Sequence, residues 1–344
     1  MRRERLNILH TVLFVLLALT VAGLAIADLL VGTTRIPLEE VWASLCGVAS
    51  SEHYEMIVCR MRLPKVIVAI LSGMALSASG LQMQTLFRNP LAGPYVLGIN
   101  SGASLGVALF TMALPMLGAV SGGWLMRFGI TGMAWIGSAA ILMMVMSLSR
   151  RIKNINVILI LGMMLGSAIS AVVGILQYIG TEESLKAFMV WTMGSLSAVT
   201  IDDMYIFVPA IILGLVLALS VVKSLNLLLL GEANARTVGL HVVRSRVVIF
   251  LSTTLLAGSV TAFCGPIGFI GLAMPHLARM TFRTADHRVL VPASMLWGAV
   301  SMLLCCLLCD VVAHNGLMLP VNSITSLLGV PIIIFVVLRN RNRR

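Results

Sequence analysis

Apolar positions in this chain fall into long runs divided by short polar stretches. Runs near residues 8–31, 64–86, 129–148, 155–179, 204–222, 247–264, 289–312 and 321–338 are of the length a helix needs, at about 1.5 Å per residue, to cross a hydrocarbon core of about 30 Å. Two more apolar runs, 91–114 and 265–279, are interrupted by glycine and proline. Together the ten predict an all-α polytopic membrane protein with both termini on the cytoplasmic side.

The interrupted runs are the informative ones. In hydrocarbon every freed backbone group needs a partner, so irregular backbone survives only where protein or a water-filled cavity surrounds it. The stretch from Gly265 to Arg279 is therefore predicted to be a short, broken helix inside a bundle, at the wall of a pathway. Its candidate residues are Gly265, Pro266, Gly268, Pro275 and His276, the histidine being read first as a hydrogen-bonded structural residue. Gln84, Asn89, Pro90 and Gly98 mark the other interruption, and Gly162 and Gly166 form a small-xxx-small pair that lets helices approach closely.

Shorter features sit between the runs. Residues 36–42 and 185–193 read as amphipathic pieces on the outer side, and residues 223–246 form the longest inner loop. Within that loop, Gly231 to Leu240 mixes small, charged and apolar residues and reads as a cytoplasmic contact helix. Two parts of the chain, about 62–179 and 246–338, echo each other: a long span gives way to a Gly/Pro-broken segment in each. Five spans separate their starts, so the copies run oppositely through the bilayer, the inverted-topology plan of transport proteins. The whole of 1–344 is read as a single transmembrane domain.

Composition agrees with the pattern. Hydrophobic residues make up 59% of 344 positions and charged ones 11%, against about 25% charged in soluble domains. The net charge of +11 is topological: most Lys and Arg fall on the inner side, leaving Arg35, Arg60, Arg62, Lys65, Arg127 and Lys186 outside, as the positive-inside rule asks. Scattered in this way, the basic residues do not form a nucleic-acid footprint. Ala25-Ile26-Ala27 resembles a signal-peptide cleavage site, but the run before it is long for a signal peptide.

Candidate chemistry narrows the function. No G-x-x-x-x-G-K-[ST] occurs, so the chain holds no P-loop for nucleotide phosphates. Asp28 and Asp310 lie near span ends, whereas ion-coupled carriers usually place ionisable groups at the midplane; the energy source is expected in a separate ATPase. An ion-coupled secondary carrier is the rival reading, and a membrane enzyme would need convergent acids or metal ligands. No catalytic residue, cofactor or metal is predicted. Cys305, Cys306 and Cys309 lie in an apolar span and read as small hydrophobes, while a disulfide between Cys46 and Cys59 is left open. Arg60, Arg62 and Lys65 cluster on the outer face and read either as snorkelling side chains or as a docking patch for acidic residues of an extracytoplasmic partner.

Several motifs together carry a resemblance. Arg62-Leu63-Pro64-Lys65, Ser79-Gly80-Leu81-Gln82-Met83-Gln84, Arg88-Asn89-Pro90-Leu91-Ala92, Gly231-Glu232-x-x-Ala235-Arg236-x-x-Gly239, Gly265-Pro266-Ile267-Gly268-Phe269-Ile270-Gly271-Leu272, Pro275-His276-x-x-Arg279 and Asp286-His287-Arg288 resemble the permease subunits of iron-chelate (siderophore or haem) and vitamin B12 ABC importers, the FecCD family. The resemblance covers essentially the whole chain. It implies a ten-helix subunit that works as a pair in the cell inner membrane, two ATPase subunits beneath and a periplasmic binding protein above. By the same resemblance Gly231, Glu232, Ala235, Arg236 and Gly239 belong to the coupling helix that seats in the ATPase. Arg62 and Lys65, with Arg60 beside them, receive carboxylates of the binding protein. A third basic position of such relatives is His314 here, four residues after Asp310.

Overall fold

The computed structural model describes all residues except 1, 33, 35, 49–50, 114–122, 153–154, 313–318 and 342–344. His314, one of the expected docking residues, lies outside the described residues. Every regular element among the described residues is helical. In chain order these are α1 (Arg2–Leu30), α2 (Leu38–Leu45), α3 (Glu52–Leu86), α4 (Ile99–Ala113), α5 (Gly123–Arg151), α6 (Ile155–Ile179), α7 (Glu182–Met193), α8 (Ile201–Ser220), α9 (Val222–Leu229), α10 (Glu232–Thr237), α11 (Val242–Cys264), α12 (Ile270–Phe282), α13 (His287–Val312) and α14 (Val321–Arg341). Seven of them are long and apolar enough to cross a membrane, so this is a polytopic, all-helical membrane protein. The interrupted runs and the last run give the shorter helices α4, α12 and α14.

Local chemistry explains several of the ends. Thr181 Oγ1 accepts from the Ser184 amide at 3.4 Å, and Glu182 and Glu183 occupy the first turn of α7, where the helix dipole favours negative charge. Asp203 Oδ2 accepts from the Thr200 amide at 2.9 Å and its hydroxyl at 2.8 Å, fixing the start of α8. α2 begins directly after Pro37, whose ring presets the dihedral for a helix start.

Contacts sort the chain into two units. One holds 1–78, 195–208 and 268–344. In it α1 and α12 pack against α13, and α14 packs on α12 and α13. α3 and α13 meet backbone to backbone: a Cβ on Gly73 would lie 2.2 Å from the Gly298 carbonyl oxygen, and one on Gly298 would lie 2.1 Å from that of Gly73. Four residues along, the Ser77 hydroxyl donates to the Ser294 carbonyl at 2.6 Å. Small residues at the crossing are what dispersion-driven packing in lipid selects.

The other unit holds 79–194 and 209–267. Here α4 lies against α5 and α6, and a Cβ on Gly102 would come within 2.5 Å of the Gly137 carbonyl oxygen. Met83, Leu86, Ile99, Ala103, Met112, Ile158, Phe188, Leu225 and Phe250 form its buried core. Gln82 is the polar tie within it, donating to Ser252 Oγ at 3.1 Å and accepting from Thr253 Oγ1 at 3.0 Å.

Candidate functional site

The broken segments come first. In the unit of 79–194 and 209–267, Asn89 Oδ1 accepts from the Leu91 amide at 2.9 Å, turning the chain at Pro90. A short 3₁₀ turn, Pro94–Leu97, leads through Gly98, at φ 77°, into α4. Gly162 gives room for that turn, since a Cβ there would stand 2.8 Å from the Val96 carbonyl oxygen, and a Cβ on Gly166 would stand 3.2 Å from Ser101 Oγ. Gln84 is buried. Gly265, at φ 76°, presses on the Trp191 carbonyl, which a Cβ would approach to 2.3 Å. Glycine is thus doubly required at 265, by dihedral and by space.

On the other side of this break, in the unit containing 268–344, the Gly268 amide donates to Asn322 Oδ1 at 3.0 Å and Phe269 takes φ 65°. From Ile270 the chain is helical through to Phe282, with Pro275 in its interior and His276 buried. The interruption is therefore confined to 265–269, and the expectation that Pro275 also breaks the helix is corrected.

Arg60, Arg62 and Lys65 differ in their surroundings. Arg60 is exposed. Arg62 is buried: its Nη1 donates to the carbonyls of Leu29 at 2.7 Å and Leu30 at 3.1 Å, and its Nη2 donates to Thr34. It closes the carbonyl end of α1, a placement that suits both the orphan acceptors and the helix dipole. Lys65 Nζ lies 2.5 Å from Asp310 Oδ1, with 18% and 21% of the two side chains exposed. Asp28, whose carboxylate oxygens have no hydrogen-bond partner among the described residues, lies alongside; one of its oxygens, one of Asp310 and Cys306 Sγ are all within 4.8 Å of one another. The charge of Lys65 acts on both acids. Arg62 and Lys65 are thus engaged within the chain, and Arg60 is the member of the three that is exposed.

No bond joins Cys46 and Cys59; the Cys59 thiol donates to the Ser44 carbonyl at 3.3 Å.

The loop of residues 223–246, in the unit of 79–194 and 209–267, is sharply built. α10 starts after Gly231 at φ 99° and ends before Gly239 at φ 91°. The Leu240 amide donates to the Ala235 carbonyl at 2.9 Å and the Gly239 amide to that of Arg236 at 3.0 Å, the paired bonds of a Schellman cap. Ala235 is fully buried, so it packs the helix onto its support. Ala233, Asn234, Arg236, Thr237 and Val238 face outward. Glu232 pairs with the guanidinium of Arg246, and Arg88 Nη2 donates to the Leu229 carbonyl at 2.7 Å. Beside α10 opens a cleft of about 860 Å³ lined by Arg236, Leu240, His241 and Arg244 among others.

An all-helical bundle with glycine-built breaks and a short exposed helix between two long apolar ones is the form of a transport subunit. The model of the FecCD transport family matches residues 16–339; the chain belongs to this family and is an ABC transporter permease subunit, not itself catalytic. Among curated relatives, the hemin transport system permease protein HmuU of Yersinia pestis is 36% identical over 339 residues, covering 96% of each chain. The vitamin B12 import system permease protein BtuC of Klebsiella pneumoniae is 34% identical over 327 residues, 91% of this chain and 94% of that one. Among solved structures, a metal-chelate type ABC transporter in an inward-facing conformation superposes with a TM-score of 0.82 at 29% identity, over 95% of this chain and 99% of the other.

Proposed function

We propose that this chain forms the conduit for an iron chelate, a siderophore complex or haem, across the cell inner membrane. The observation that carries the reading is the end-to-end likeness to a hemin permease, 36% identical over 96% of both chains. Vitamin B12 is the second reading, supported by the relative at 34%. Adding α4, α12 and α14 to the seven long helices gives ten crossings, which we arrange as inverted repeats of about 62–179 and 246–338 in one domain of 1–344, with both ends cytoplasmic. Two copies of this chain enclose the path. The glycine breaks around Gly98 and Gly265 to Gly268 flank it, with Asn89, Pro90, Gly162, Gly166, Pro275 and His276 as their support.

Two ATPase subunits act from the cytoplasm and a periplasmic binding protein delivers cargo above. The coupling loop is 223–246: α10 offers Arg236 and its exposed neighbours to the ATPase, while Gly231, Glu232, Ala235 and Gly239 set its shape. At the outer rim Arg60 meets the binding protein, backed by Arg62, Lys65 and His314. The test is uptake into proteoliposomes holding the permease, an ATPase partner and a binding protein, with haem, a ferric siderophore and cobalamin offered in turn. Accumulation of one iron chelate only with ATP is expected. Import driven by an ion gradient without the ATPase would overturn the proposal.

A further inference from the structure

α10 is six residues long and is joined at each end by a glycine in a left-handed conformation. Backbone alone would leave such a helix hinged twice. Charge supplies what the backbone lacks. Arg246, in the second turn of α11, is 2% exposed, although an arginine near a membrane surface can ordinarily extend to water. Its guanidinium instead pairs with Glu232, the first residue of α10, across 14 positions of sequence. Arg236, half exposed, stands 4.0 Å from the same carboxylate, so the buried guanidinium is the closer partner. On the near side the Arg88 guanidinium lies 3.1 Å from where a Cβ of Gly231 would stand and holds the Leu229 carbonyl just before it.

We propose that Glu232 and Arg246 form a clamp that fixes α10 to α11, so that a push on the exposed face of α10 moves the membrane-crossing helix instead of being absorbed at Gly231 and Gly239. The proposal rests on reading α10 as the coupling helix. Both act through the placement of α10 and are therefore positioning residues. A purely structural pair would act differently, since removing one partner leaves a buried charge, whereas removing both is often tolerated.

The test compares ATP hydrolysed with substrate imported in the reconstituted importer. Glu232→Gln and Arg246→Met are each expected to retain hydrolysis within about twofold and to lose uptake about tenfold, the scale of a coupling change of 1 to 2 kcal/mol. The double variant Glu232→Gln with Arg246→Met should assemble and remain uncoupled, and the charge swap Glu232→Arg with Arg246→Glu should restore part of the ratio. A parental ratio in Glu232→Gln, or recovery of uptake in the neutral double variant, would overturn the clamp. Arg236→Glu separates the two ideas. If it uncouples while Glu232→Gln does not, only the clamp fails; if it leaves ATPase assembly and coupling intact, the coupling-helix reading itself fails.

Discussion

Lys65→Met tests the charge network of α1, α3 and α13 most sharply. The substitution keeps most of the side chain's length and apolar stem but removes the ammonium 2.5 Å from Asp310. Two acids, Asp28 and Asp310, then stand with oxygens no more than 4.8 Å apart, and Arg62, the nearby cation among the described residues, is engaged with the carbonyls of Leu29, Leu30 and Thr34. Removing one partner of a buried ion pair costs about 3–5 kcal/mol. Because about a fifth of each side chain is exposed, the lower end applies, about 3 kcal/mol. At about 2 °C per kcal/mol for a chain of this size, the midpoint should fall by roughly 6 °C. The assay is thermal unfolding in detergent at one fixed scan rate, which makes variants comparable even where unfolding is irreversible. Lys65→Met with Asp310→Asn should unfold at a higher temperature than Lys65→Met alone, since the buried carboxylate deprived of its ammonium is gone as well. A single variant within about 1 °C of the parent, or a double variant showing simple additivity, would refute the reasoning.

Gly298→Val should force α3 and α13 apart, since its Cβ would lie 2.1 Å from the Gly73 carbonyl oxygen and 2.7 Å from Ser77 Cβ; a loss of about 1–3 kcal/mol or more is expected. Folded yield and unfolding midpoint read it, with Gly132→Ala, which meets nothing within 4 Å, as the silent control. Gly239→Ala also enters open space, so its penalty is the left-handed dihedral alone, about 1 kcal/mol. Hydrogen exchange at the Leu240 amide, which bonds the Ala235 carbonyl, should quicken; unchanged protection would count against the cap.

What the chain disclosed by itself was its periodic and local chemistry. Apolar length marked the crossings, and Gly265-Pro266 with Asn89-Pro90 marked the breaks, because those residues change the backbone wherever they stand. α2 and α7 were legible from amphipathic spacing. The pairing of Lys65 with Asp310, 245 positions away, was not, because an acid near a span end looks the same whether it faces water or another helix. The bonds of Arg62 were hidden for a related reason: a positive charge near a span end can turn to water or to protein, and tertiary packing selects the carbonyls of α1. Pro275 misled in the other direction. Proline argues for interruption, yet here it lies six residues into α12 and the helix continues past it, as neighbouring groups in a membrane bundle allow.

Where α3 crosses α13, each glycine carbonyl occupies the volume that a side chain of its neighbour would fill. Such a junction has no rotamers to switch and nothing to cushion it. Sliding one rod by even a fraction of a turn would drive main chain into main chain. During each transport cycle these two helices must therefore travel together, and any bending that opens a route for cargo has to be taken up at other joints.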